Sequence, residues 1–192
     1  LSPLMHNAAF RSLNLNYVYT ALRVESNHLR AAVAGLKALG FRGVNVTIPH
    51  KLQVVQYLDE LDPYARKAKA VNTILNRDGR LIGYNTDGVG ALRSLREGGC
   101  DPRDKKVLIV GTGGAARSIA FALVSKAREL LIMGRSRAGA LGLTRDLREE
   151  SEVEIRNRAL SSRSLRRAVR NTDILINATS VGMWPDTQHS II

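Results

Sequence analysis

Lys106-Val107-Leu108-Ile109-Val110-Gly111-Thr112-Gly113-Gly114-Ala115-Ala116 is the stretch that decides the fold. The run from Lys106 to Val110 reads as a buried strand, and Ala115 to Ser125 as a helix. Between them, Gly111 permits a tight turn and Gly113 lets backbone amides approach a pyrophosphate. Ala116 allows close packing of helix on strand. The helix N-terminus adds free N–H groups and the positive end of a macrodipole. Gly111, Thr112, Gly113, Gly114 and Ala115 are therefore candidate dinucleotide-binding residues. An ordinary glycine-rich turn carries the same letters, but strand before and helix after is the context the binding mechanism requires.

Outward from this turn towards the C-terminus, a second strand is expected from Glu129 to Met133. Helix, strand and helix follow, and Asp173 to Ile176 closes the series, a parallel α/β pattern of Rossmann type. The end of the second strand selects the cofactor. An acidic residue there bonds the ribose hydroxyls of NAD, whereas basic residues accommodate the 2′-phosphate of NADP. This chain has Gly134-Arg135-Ser136-Arg137 and no carboxylate. Guanidinium forks suit phosphate, so NADP is expected, held by Arg135, Ser136 and Arg137. Surface arginines in an Arg-rich chain are the plainer alternative.

Towards the N-terminus the pattern is mixed. Leu29, Val33, Leu36 and Leu39 recur at helical spacing behind Ser26, a candidate N-cap, with Gly40 as the stop. Gly43 to Ile48 alternates like a short strand. Pro49 suits the first turn of a helix running to about Leu61, which would put Lys51 near its N-terminus before Asp62-Pro63 breaks it. Ala70 to Leu75 and Leu81 to Tyr84 read as a hairpin around Asn76-Arg77-Asp78-Gly79. A helix spans Gly88 to about Gly98, and Gly98-Gly99 marks a boundary. The expected architecture is α/β, with an N-terminal α/β domain over 1–99 and a Rossmann-type domain over 100–192.

Composition excludes several classes. In 192 residues there is one cysteine, Cys100, so no internal disulfide forms and a reducing, cytoplasmic setting is expected. No apolar run is long enough to span a bilayer. The formal charge is +12. Residues 1–100 hold 13 basic and 7 acidic side chains, and 101–192 hold 16 and 10, so each half carries +6. With only 5% aromatics there is no base-stacking platform. The charge favours anionic small molecules over nucleic acid, and the Arg156–Arg170 stretch, interrupted by Leu160, Leu165 and Val169, reads as a solvated helix face.

Two polar clusters remain: Asn45-Val46-Thr47-Ile48-Pro49-His50-Lys51, and Asn72-Thr73 with Asn85-Thr86-Asp87. They supply one amine and one carboxylate among neutral hydrogen-bonding groups, which suits a polyhydroxylated substrate and a proton transfer. A cation gains nothing from a helix N-terminus, so Lys51 there would have another task. Asp87 could face it across a cleft, or could cap the helix that starts near Gly88. The Asn and Thr side chains could equally satisfy neighbouring backbone groups.

These segments, in this order, resemble the shikimate dehydrogenase family from Ser2 to Met183. The resemblance implies NADPH-dependent, reversible reduction of 3-dehydroshikimate in aromatic amino acid biosynthesis, with Lys51 and Asp87 as the catalytic pair. It further implies that Asn45, Thr47 and Asn72 bond substrate hydroxyls, that Ser2 binds the substrate carboxylate, and that Thr179, in Asn177–Met183, contacts the nicotinamide half of the cofactor. No metal is implied, and the oligomeric state stays open. The family's first serine would precede Leu1, and its remaining substrate contacts would follow Ile192, so the chain is expected to be one section of a longer polypeptide. A quinate/shikimate dehydrogenase shares the framework, and so does a catalytically silent relative that binds NADP or shikimate.

Overall fold

The computed structural model describes residues 1–192 and contains two four-stranded sheets. In the first half, helix α1 (Ser2–Ser12) is followed by an extended segment and α2 (Leu29–Ala38). Strands β1 (Gly43–Asn45), β2 (Glu60–Leu61), β3 (Thr73–Arg77) and β4 (Arg80–Tyr84) form a mixed sheet of order β1-β3-β4-β2. The β3–β4 hairpin turns through Asp78 and Gly79, both at positive φ, where Asp and Gly are the residues that tolerate it. Leu29 and Val33 of α2 pack with Val54, Val71, Ile74 and Leu81. That is the helical spacing read from the sequence.

Three local expectations are corrected. The segment after Pro49 is a turn leading to a five-residue 3₁₀ helix, Gln53–Tyr57, not an α-helix to Leu61. The chain must return to the sheet: the Asp59 N–H donates to the Leu81 carbonyl and Glu60–Leu61 pairs with β4, leaving no length for further turns. Asp62-Pro63 starts a helix rather than ending one. In α3 (Pro63–Ala68) the Asp62 carboxylate accepts the N–H groups of Tyr64 and Ala65, and Pro63 occupies the first turn, where its missing N–H costs nothing. Ser26 caps nothing; residues 26–28 form a 3₁₀ turn leading into α2. The unexpected α1 buries no residue, so no apolar face marked it in the sequence.

Helix α4 (Asp87–Glu97) leads to Gly99, at positive φ, and into the second half. There β5 (Lys106–Val110), α5 (Gly114–Leu123), β6 (Glu129–Gly134), α6 (Arg137–Arg148), β7 (Glu154–Ala159), α7 (Ser162–Val169) and β8 (Ile174–Asn177) alternate. The sheet is entirely parallel, in the order β7-β6-β5-β8. The inner strands of such a sheet are covered on both faces, so β5 and β6 read as near-continuous apolar runs, whereas the edge strand β7 keeps Glu154, Arg156 and Arg158 exposed. Val107, Ile109, Leu130 and Ile132 face α5 and α6, while Leu108, Val110 and Met133 face α7. The crossover from β7 to β8 places the strand-order switch beside β5, where ligands of such sheets bind. The larger core also takes in Ala68 and Ala70 from the first half, and α4 lies against α5. No helix is long and apolar enough to cross a membrane.

Candidate active site

Lys51 lies in the turn after β1, and its carbonyl is tied to the N–H of Val71 at the approach to β3. Its amine donates to Asp87 Oδ2 at 2.6 Å. The two side chains retain 16% and 21% exposure, so the pair is sheltered yet reachable from solvent. Lys51 precedes the short 3₁₀ helix Gln53–Tyr57 rather than opening an α-helix of its own, and the α-helix N-terminus beside its side chain is that of α5, at Gly114. Asp87 does not cap α4: it is the first helical residue, and its second oxygen accepts Asn72 Nδ2 at 2.8 Å.

From Asn72 a continuous polar chain runs outward. Its amide also donates to Thr86 Oγ1 at 2.9 Å, while its Oδ1 accepts the Thr73 hydroxyl at 3.0 Å and the Thr86 N–H at 3.1 Å. Thr73 Oγ1 accepts Asn45 Nδ2 at 3.4 Å, and Asn45 Oδ1 accepts the Tyr19 hydroxyl at 3.0 Å. Lys51, Asp87, Asn72 and Asn45 are thus brought together with Thr73 and Thr86, members of the quoted polar cluster to which the sequence assigns no role, and with Tyr19, which the sequence does not single out. Tyr19 sits in an extended segment with no periodicity and gave no signal. Thr47 is exposed near this group with no side-chain partner. Ser2 is exposed at the start of α1 and reaches the group only indirectly. Its carbonyl is bonded to His6, whose ring stacks on Tyr19 at 4.3 Å.

The glycine-rich turn borders this group. Gly114 lies against the Lys51 side chain, where an added Cβ would come within 2.6 Å of the Lys51 Cβ. Gly111 has φ +126°, and a Cβ there would meet the Ala178 carbonyl oxygen at 2.7 Å. Only glycine fits, and the turn thereby touches the loop that carries Thr179. Gly113 has open space around it and caps α5 without any side-chain bond, leaving the first amides of α5 free for an anion. The Thr112 side chain instead fills the gap beside Gly134 and Gly139, so its role is to pack the turn onto β6 and α6. The Ser136 hydroxyl accepts the Gly139 N–H at 3.0 Å as the N-cap of α6. Arg135 and Arg137 flank it, exposed. Asp146, the buried carboxylate of α6, is engaged by Arg117, Lys69 and Arg145 and leaves both unneutralised. The Thr179 hydroxyl donates to Asn177 Oδ1 at 2.7 Å and accepts the Val181 N–H, so it braces its own loop. A dinucleotide with an extra phosphate fits these free amides and free guanidinium groups.

A cavity of about 800 Å³ lies between residues 18–26, α2 and β1, with Tyr19, Asn45 and Thr47 among its lining residues. Val18, Leu22, Leu29, Val33 and Val54 line it. That apolar wall suits a polyhydroxylated molecule poorly, whereas the Lys51–Asn72 group offers what such a molecule needs.

Sheet order, turn and switch point define a class: an α/β protein whose second half is of Rossmann type. Residues 1–74 match the family model of the shikimate dehydrogenase substrate binding domain, and residues 95–184 that of shikimate/quinate 5-dehydrogenase. A shikimate dehydrogenase (NADP(+)) of Moorella thermoacetica is 48% identical over 191 residues, covering 99% of this chain and 65% of the relative. That of Bacillus cytotoxicus is 45% identical over 192 residues, covering 99% and 68%. A crystal structure of a shikimate dehydrogenase in complex with NADP+ matches with a TM-score of 0.86 at 42% identity, covering 100% of this chain and 66% of that one. The chain belongs to the shikimate dehydrogenase family, and it spans 65% of the length of the Moorella relative.

Proposed function

We propose that this protein reduces 3-dehydroshikimate to shikimate, reversibly and with NADPH, as a step towards the aromatic amino acids. The observation that carries the reading is the sheltered Lys51–Asp87 pair, set among neutral hydrogen-bonding side chains and against the glycine-rich turn. NADPH, when bound, supplies the hydride. Lys51 gives the proton to the substrate carbonyl oxygen and recovers it in the reverse direction. Asp87 orients the amine and accepts a substrate hydroxyl, while Asn45, Thr47 and Asn72 hold the others and Ser2 meets the carboxylate. The amides of Gly113, Gly114 and Ala115 cradle the pyrophosphate behind Gly111 and Thr112. Arg135 and Arg137 hold the 2′-phosphate beside Ser136, and Thr179 contacts the nicotinamide half of the cofactor.

The functional division falls at residues 99 and 100, substrate side before and cofactor side after. The +12 charge serves anionic ligands rather than nucleic acid, and the lone Cys100 fits a cytoplasmic setting.

The test is NADPH formation from shikimate and NADP, with quinate and NAD as parallel substrates, on the 192-residue chain and on a longer polypeptide carrying it. Turnover fastest with shikimate and NADP is expected. Faster turnover of quinate would move the substrate. A folded protein that binds NADP yet turns over no pair would overturn the enzymatic reading.

A further inference from the structure

One face of α5 supports the Lys51–Asp87 pair from beneath. The Lys51 stem rests on Gly114. One turn along, Ser118 is fully buried; its hydroxyl donates to the Gly114 carbonyl at 2.7 Å and accepts Asn85 Nδ2 at 2.7 Å. Asn85, 5% exposed, gives its other amide proton to the Ala70 carbonyl at 2.9 Å, and its Oδ1 accepts the N–H of Asp87 at 3.0 Å. Asp87 opens α4, so its N–H has no acceptor within the helix, and Asn85 is its partner. One residue on, Gly88 presses on the same face of α5. A Cβ there would stand 2.5 Å from the Ser118 carbonyl oxygen and 2.9 Å from the Ala122 Cβ. The Tyr64 hydroxyl donates to that carbonyl as well.

We infer that Asn85 and Ser118 are positioning residues. Through the Asp87 N–H they fix the carboxylate, and with it the Lys51 amine, to the helix that begins at the glycine-rich turn. The inference rests on the reading of Lys51 and Asp87 as the catalytic pair. Neither Asn85 nor Ser118 reaches the solvent-accessible side of that pair. Their contribution is geometric, and a displacement of about 1 Å at a reacting group costs about 10²-fold in rate.

Ser118→Ala, Asn85→Ala and the double variant test this in the full chain. Each single variant is expected to lower kcat by about tenfold or more, within that limit, while KM for shikimate and NADP changes less than kcat. The double variant should be no slower than Asn85→Ala, because both act through one hydrogen-bonded chain. A second readout needs no ligand: amide hydrogen exchange at Asp87 should quicken by about tenfold in Ser118→Ala while Ile109 keeps its protection. Should Asn85→Ala not fold, Asn85→Asp, which removes the donors to Ser118 and to the Ala70 carbonyl at constant shape, takes its place. Lower melting temperatures with wild-type kcat and unchanged exchange at Asp87 would reduce both residues to fold stabilisers and overturn the inference. That outcome, beside a wild type that turns over and a Lys51→Ala variant that does not, leaves the catalytic pair standing. A wild type inactive with every substrate pair removes the pair instead.

Discussion

Lys51 has little freedom: its carbonyl is bonded to Val71, its stem lies on Gly114, and its amine meets Asp87. Such a group is pre-oriented, and losing its proton transfer is expected to cost about 10²–10⁴-fold in kcat. Lys51→Ala should therefore depress turnover far more than it raises KM for shikimate, and steady-state kinetics decide it; near-normal kcat would remove Lys51 from the chemistry. Arg135 is the opposite case, exposed and without an anion to hold it. Hydrogen bonds to charged groups are worth about 1.5–3 kcal/mol. Arg135→Ala should accordingly reduce the preference for NADPH over NADH by about tenfold or more, read as a ratio of kcat/KM values. At this scale the sequence showed which residues have chemistry to offer but not their secondary engagements. The Ser136 hydroxyl caps α6 and the Thr179 hydroxyl braces its loop, uses set by φ and ψ that residue spacing does not report.

The central strands of the second half keep closely to their periodicity because a parallel strand buried on both faces is apolar along its length; β5 spans the residues expected of it. The first half departs from expectation where short elements compete. Leu52, Val55 and Leu58 fit a helix, yet the sheet claims the chain at Asp59 and only a 3₁₀ segment forms. The dipeptide Asp62-Pro63 carries two opposite signals, a stop for the segment on its N-terminal side and a start for the one on its C-terminal side. Only the donors that reach the Asp62 carboxylate choose between them. Replacing Asp62 with Ala strips two capping bonds from α3 and is expected to destabilise the protein by about 1 kcal/mol. Chemical denaturation checks this, and an unchanged midpoint would argue that the cap is not used in solution.

Across the whole molecule, the two halves are joined by a charged knot. Arg117 of α5 donates to the Ala68 carbonyl at 2.8 Å and pairs with Asp146 of α6 at 2.5 Å, and Lys69 reaches the same carboxylate at 3.1 Å. Burial works to raise the Asp146 carboxyl, but the hydrogen bonds and charges of Arg117 and Lys69 outweigh it and hold it below the ordinary carboxylate range. A carboxylate lowered on folding contributes stability above its unfolded value, and that contribution fades as pH falls through the folded one. Asp146→Asn should thus melt below the wild type at neutral pH, with the gap closing as pH drops below about 4. A gap that is constant from about pH 7 to about pH 3 would show that the carboxylate charge is not what joins the halves.

By itself the sequence determined the α/β class, the parallel second half, the glycine-rich turn and the residue types a proton-transfer site requires. All of these are written in local spacing, where chain neighbours share one strand, turn or helix face. Only the tertiary structure decided that Asp87 faces Lys51 instead of capping α4, that Tyr19 and Thr73 complete the polar chain, and that Gly114 yields its space to the Lys51 stem. These pairings join residues 26 to 63 positions apart, apart from Thr73 beside Asn72. Their geometry depends on how β3 and β4 set the two turns side by side and on how closely α4 lies upon α5, and no periodicity within either segment records that distance.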